Sequence, residues 1–450
     1  MAHYPYSPRP GAPEVAEPAY NRAQSDGNPE HARGVPPAFR FPKYRAYWAG
    51  LFVSVIGFQV FQFVQFLLVH TIDDSVLTLG YLGLANALPT IILALVGGVF
   101  ADKLDKRRLI VVTQSVSGCC VLALAVLTLS GVVAVWHVLV LATVISGVSA
   151  FDSPARAAYY PRLVDRAAML SAVALNSTVW QSTRIIGPGF AGIAVARLGR
   201  TDVEGIGLAL LASSAGFFFM TAVMIALRVQ APGESRGNPA RNLLEGLDYA
   251  KSNAVVLFLV VMAFTYSFFG WSFVVLMPVL ARDVLGVDAA AQGWLLAGAG
   301  VGATVVTVGL ALSGGRTSRY RGRLVIGGAA TFGVLVAVFA LTSEYVGSYP
   351  LALFLMVALG LTQTLYSTAS MASLQLVVPD RMRGRVFGLY SIMWGIMPLS
   401  GTQAAFLANF VGVPIAVAFG GLMVTLFALG PALMNPRIRR LGAEPLASGG

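Results

Sequence analysis

Arg184 is the one basic residue among 31 that falls inside a long apolar stretch, away from its ends and from the terminal tails. An arginine at mid-helix costs about 2.5 to 3.5 kcal/mol on insertion scales, so its presence calls for a role. It is always protonated and cannot itself carry an exchanging proton. Three roles stay open: holding an anionic or carbonyl-bearing solute, depressing the pKa of a proton-exchanging carboxylate, or donating to helix carbonyls at a neighbouring kink. Ser177, Gln181 and Arg184 share one helical face, with Asn176 and Trp180 beside it. Other apolar stretches carry uncharged polar and aromatic residues at similar depth: Gln59, Gln62 and Gln65, then Tyr266 and Trp271, then Gln363, Tyr366 and Ser370, then Tyr390 and Trp394. Such groups are costly in lipid and face a bundle interior or a wet cavity. Amides among aromatic walls suit a large, partly apolar solute. We expect Gln59, Gln62, Trp180, Gln181, Tyr266, Gln363 and Tyr366 to line one substrate cavity.

The chemistry on offer is binding, not bond-making. His3 and His31 lie in the N-terminal tail and His70 and His137 stand singly, so no histidine pair is spaced for a metal. None of the four lysines follows a glycine, which excludes a phosphate-binding loop for ATP. Cys119 and Cys120 are adjacent, which excludes a disulfide framework or paired zinc ligands, and both are expected in the core. We therefore expect no enzyme, metal site or cofactor.

The elements that must position these residues follow from composition. With 56% hydrophobic and 11% charged residues and a mean hydropathy of +0.73 over 450 residues, the chain cannot build a water-soluble surface. Apolar stretches long enough to cross about 30 Å of hydrocarbon recur twelve times, near 46–69, 79–101, 109–130, 135–151, 170–196, 205–227, 254–280, 291–312, 324–342, 350–372, 386–409 and 413–434. Every alternate break is basic, and with the N-terminus inside, 27 of the 31 basic residues fall on the cytoplasmic side. Both termini are thus expected in the cytoplasm. That pattern also accounts for the net charge of +11 without nucleic-acid binding. Residues 1–40 read as a disordered tail, since they hold too little apolar surface to offset ordering entropy. The chain divides into an N-terminal six-helix half over 41–227, a central loop over 228–253, a C-terminal half over 254–435 and a short tail over 436–450. The halves look related: each carries Gly-Gly and basic residues after its second span (Gly97 and Gly98, then Gly314 and Gly315) and a Pro, Asp and Arg cluster after its fourth.

Three motifs sharpen this reading. After the second span the chain runs from Gly98 through Asp102, Asp105 and Lys106 to Arg107 and Arg108. It resembles the signature loop of the major facilitator superfamily, with Asp105 standing where the broad pattern has glycine. The resemblance implies a cytoplasmic latch between the halves, made by Gly98, Asp102, Lys106 and Arg107 with Asp152 and Arg156 at the end of the fourth span. The run from Phe151 through Asp152, Pro154 and Arg156, with that from Pro379 to Val386, is similar to the branch containing the enterobactin exporter, macrolide efflux proteins and the lysophospholipid flippase. In the fifth span, Arg184, Gly187, Pro188, Gly189 and Gly192 resemble the antiporter motif of exporting members.

The expected protein is an all-helical membrane transporter of twelve spans in two pseudo-symmetric halves, monomeric, in the bacterial inner membrane. The resemblance implies export of a small amphipathic molecule (a drug, a macrolide-like compound or a siderophore) by alternating access, with protons as the coupling ion. Lysophospholipid flipping is the alternative, and solute uptake a further one. No carboxylate stands at mid-depth to carry the proton, for Asp102 and Asp152 sit at span ends.

Overall fold

The structure, a computed structural model, describes residues 36–229, 239–312 and 321–435, without the side chains of 94–103, 239–242, 311, 391 and 394. Gly314, Gly315 and most of both tails lie outside the described residues, as do the side chains of Asp102 and Trp394 and the surroundings of Gly98. Every regular element among the described residues is helical, as lipid requires of segments whose backbone groups must all bond internally. The N-terminal half holds α1 (Pro42–Ile72), α2 (Val76–Lys103), α3 (Lys106–Leu129), α4 (Val135–Tyr159), α5 (Met169–Leu198) and α6 (Asp202–Ala226). After α7 (Pro239–Ser252) come α8 (Ala254–Gly270), α9 (Ala289–Leu312), α10 (Arg321–Tyr345), α11 (Tyr349–Val377), α12 (Asp380–Ile396), α13 (Leu399–Val411) and α14 (Val413–Met434). α8 runs on through short helical turns at Ser272–Val275 and Met277–Val279 into a π turn at Leu280–Val284.

Ten of the described helical segments are long and apolar enough to cross a bilayer. Two further helical stretches lie where the other two of the twelve expected spans fall, and each falls short of that measure for a physical reason. α5 carries the polar run from Asn176 to Arg184. The eleventh span is split into α12 and α13 at Met397 and Pro398, where proline withholds a backbone donor.

The halves repeat one packing scheme. In the N-terminal half α2 packs on α4 and α3 on α6; in the C-terminal half α9 packs on α11 and α10 on α14. The second and third spans thus meet the fourth and sixth in both. Across the halves α5 packs on α9 and α2 on α13, contacts that exchange under the same pseudo-symmetry.

Three expectations are corrected. The tail is ordered from its last residues, since Pro37–Arg40 form a helical turn in which Phe39 sits edge-on to Trp48. The break between the halves holds α7, an amphipathic helix whose Leu243 and Leu247 pack on the core and whose Glu245 meets Arg385 at 2.9 Å. Cys119 is exposed on α3 and Cys120 half-buried, so the pair does not sit in the core.

Candidate functional site

The Gly-Pro motif seats α5 against helices of both halves. A Cβ on Gly187 would stand 2.4 Å from the Cβ of Gln59 on α1, and one on Gly192 would stand 2.3 Å from the Ala289 carbonyl oxygen on α9. Gly293 of α9 answers across the same seam, its Cβ position 2.5 Å from the Pro188 oxygen. Only glycine lets these backbones approach so closely. Pro188 stays inside one continuous helix and, lacking an N–H, leaves the Arg184 carbonyl without its intrahelical donor. The motif and the half-buried arginine therefore belong to one local structure.

Beside this seam lie three adjoining cavities. The largest, about 560 Å³, is lined by Gln59, Gln62, Trp180, Gln181, Arg184 and Trp271, with Phe58, Phe66, Met397 and Pro398 among its apolar walls. A second of about 210 Å³ shares Gln59, Gln62, Arg184 and Trp271 and adds Gln363, Gln292 and Pro278. A narrow third, about 30 Å³, joins Arg184 to Tyr266, Gln363, Tyr366 and Tyr390. The structure thus brings Gln59, Gln62, Trp180, Gln181, Tyr266, Gln363 and Tyr366 together around Arg184. Among the described residues, neither Asp nor Glu lines any of the three. Arg184 makes no hydrogen bond or ion pair among the described residues, and its guanidinium lies 5.9 Å from the Trp271 ring centre.

Several polar residues hold the wall of this space. Gln65 is buried at 0% exposure; its amide donates to Gln62 and accepts from Asn86 at 3.4 Å, while Asn86 accepts from Ser146 at 3.0 Å. This chain ties α1, α2 and α4 and orients Gln62 toward the cavity. Ser177 turns its exposed hydroxyl back onto the Val173 carbonyl, so of the polar face on α5 only Gln181 and Arg184 reach the site. Two lining residues had little sequence signal: Asn86 is a lone amide in its span, and Gln292 stands where α9 begins, at a depth that reads as interface.

The residues expected in the latch divide in the structure. Asp152 accepts from Arg156 Nε at 2.5 Å and from Thr113 at 2.7 Å, and Arg156 also donates to Ser54, which donates to Gln114. Arg107 caps the end of α6, donating to the Met224 and Ile225 carbonyls at 2.8 Å each. Lys106 is buried. Arg107 and Arg156 thus bond within the N-terminal half.

The two ends of the bundle differ. At the end carrying the acidic breaks, four contacts cross between the halves: His70 to Asp283 at 3.1 Å, Arg282 to Asp202 at 2.7 Å, Arg282 to Thr71 at 3.5 Å and Thr402 to the Gly80 carbonyl at 2.8 Å. Asp73, just outside α1 at this end, accepts from the Thr78 hydroxyl and the Ser75 N–H, which hold its carboxyl below the usual carboxylate range. On the walls of these cavities Trp180 is 42% exposed and Gln292 only 1%.

A family model described as a transmembrane secretion effector matches residues 35–448. The multidrug efflux pump Tap of Mycolicibacterium fortuitum is 28% identical over 86% of this chain and 93% of its own length. The staphyloferrin A transporter of Staphylococcus aureus is 25% identical over 74% and 82% respectively. Among solved structures, an inward-facing, unoccupied bacterial homologue of the human lysosomal transporter Spinster superposes with a TM-score of 0.65, covering 91% of this chain and 98% of its own at 14% identity. A D-xylose-proton symporter superposes at 0.66, covering 88% and 97% at 15% identity. With a two-half helical bundle, a cavity between the halves and a family match over nearly the whole length, the chain belongs to the transmembrane secretion effector family of the major facilitator superfamily and is a multi-pass membrane transporter.

Proposed function

We propose that this transporter exports a small amphipathic molecule, a drug, a macrolide-like compound or a siderophore, in exchange for protons. The observation that carries the reading is the cavity between the halves, walled by amides and aromatics, with the halves bridged at the acidic end. Relatives named as a multidrug efflux pump, a staphyloferrin A transporter and a macrolide efflux protein favour export over uptake. The basic end faces the cytoplasm by the distribution of Lys and Arg, which puts both termini on the cytoplasmic side of the bacterial inner membrane, and with the acidic end bridged this form is inward-facing. Solute enters from the cytoplasm among Gln59, Gln62, Trp180, Gln181, Tyr266, Gln363 and Tyr366. The acidic-end contacts must then break while Gly98, Asp102, Lys106 and Asp152 latch the basic ends. Arg107 and Arg156 support that latch by fixing the helix ends that bear it. The protein works as a monomer, because the cavity is complete within one chain.

Inside-out vesicles with an imposed acid interior test the reading. Labelled macrolides, tetracyclines and siderophores are offered; at least one accumulates, and accumulation collapses when the gradient is dissipated. Cysteines at Gln59, Gln181 and Gln363 are labelled by a soluble thiol reagent, and the exported compound protects them. Movement of lysophospholipid alone, with no gradient dependence, contradicts proton-driven export and favours the flippase alternative.

A further inference from the structure

The charge on the cavity wall identifies the kind of cargo. All three cavities meet at Arg184. A guanidinium offers five N–H donors and no acceptor, and it keeps its charge in a protein. Buried cations in lipid-embedded helices ordinarily pair with a carboxylate or with backbone carbonyls. Arg184 does neither among the described residues, and no Asp or Glu lines the space around it. Donors also extend along the wall, where the Trp271 Nε1 and the Tyr266 hydroxyl are buried with no hydrogen-bond partner, against one unpartnered acceptor, the Gln292 Oε1. An indole N–H can only donate. The amides of Gln59, Gln62, Gln181 and Gln363 can bond either way, so they leave the imbalance in place.

A cavity of this kind is completed by negative charge and acceptor oxygens. A basic guest would bring a second positive charge beside Arg184 in a site partly walled by aromatic rings, where like charges repel more strongly than in bulk water. We propose that the cargo is an acidic amphiphile whose carboxylate-like oxygens seat on Arg184 while its apolar part lies against Phe58, Phe66 and Trp180. The proposal rests on the transport reading for the fate of the cargo, but its binding step stands apart from any gradient. It also gives the Gly-Pro motif a second use: with the Arg184 carbonyl freed by Pro188 and the helix held by Gly187 and Gly192, the guanidinium is carried on a segment pinned to both halves. Seating an anion there therefore acts at the seam along which the halves must rearrange.

The test uses the full-length chain in lipid nanodiscs and three fluorescent probes that share a dansyl group and an undecyl chain and differ only at the end: carboxylate, carboxamide or trimethylammonium. The carboxylate probe is expected to bind about tenfold or more tighter than the carboxamide, the scale of hydrogen bonds to a charged group, and the ammonium probe most weakly. Arg184→Gln should remove the preference for the carboxylate probe over the carboxamide; Arg184→Lys should keep most of it. Equal or better binding of the ammonium probe, or a carboxylate preference that survives Arg184→Gln, overturns the proposal. Carboxylate preference in nanodiscs with no export in vesicles supports the anion site and refutes the transport reading alone. Export confined to cationic compounds refutes the anion site and leaves the transport reading standing.

Discussion

Arg156 and Arg184 are both arginines within helices of the N-terminal half, and their surroundings differ in kind. Arg156 on α4 donates through Nε to Asp152 one turn away and through Nη2 to Ser54 of α1, and these two partners are themselves held by Thr113 and Gln114 of α3, although its Nη1 is buried without a partner. Arg184 on α5 has cavity, glutamine amides and one aromatic face. A buried cation with its partners built in is held by the fold and holds the fold in return. One left without them is available to a guest. Substitutions at the two should therefore fail in opposite ways, the first in stability and the second in function.

The largest expected effect is Asp152→Asn, which removes the partner of a cation only 10% exposed at its side chain. Breaking one side of a buried pair costs about 3 to 5 kcal/mol, so the thermal midpoint of the purified protein should fall well below that of the parent. Adding Arg156→Gln should recover part of the loss, because it removes the stranded charge. An unchanged midpoint in the single variant would place Asp152 outside the structural web and free it for the latch.

Next comes Gly192→Val on the seam that carries Arg184. With a backbone oxygen 2.3 Å from the Cβ position, overpacking should cost about 1 to 3 kcal/mol. Export should fall with it, since α5 and α9 can no longer close at the acidic end. Smaller still is the His70 and Asp283 contact, half of which is exposed to solvent. A double-mutant cycle with His70→Asn and Asp283→Asn, read from thermal midpoints, should give a coupling of about 0.2 to 1 kcal/mol that weakens with salt.

The smallest effect is at Asp73. Its carboxyl is held low by the Thr78 and Ser75 bonds, so its contribution is present above the usual carboxylate range and is lost as pH falls through the depressed value. Midpoints of Asp73→Asn and the parent should differ slightly at neutral pH and converge in acid. A gap that widens in acid would reverse the assigned direction.

Much of this architecture was legible because lipid imposes one rule: uninterrupted apolar length means a crossing helix, and any polar residue inside it needs a reason. That rule found Gln59, Gln181, Arg184 and Gln363 without knowledge of which helices touch. It also has blind spots. Hydropathy runs smoothly through 386–409, which hid the break between α12 and α13, although Pro398 marks it. α7 is too polar to register in a search for spans; its signal was the spacing of Leu243 and Leu247, which periodicity would have shown. Cys119 was misplaced because in a membrane the face toward lipid is as apolar as the face toward the core, so composition alone cannot orient a helix. The partner that fixes Arg156 was present in the motif one turn away, whereas the lack of a partner for Arg184 among the described residues is a property of the seven helices that line its cavities.

The central claim is that Arg184 serves the solute and not the fold. The initial rate of gradient-driven export by Arg184→Gln, set beside Arg184→Lys and the parent at matched expression in the same inside-out vesicles, tests it most directly. The account predicts that Gln loses about tenfold or more of the rate, that Lys keeps a substantial share, and that both variants insert normally. Near-parental export by Arg184→Gln at normal expression would contradict it.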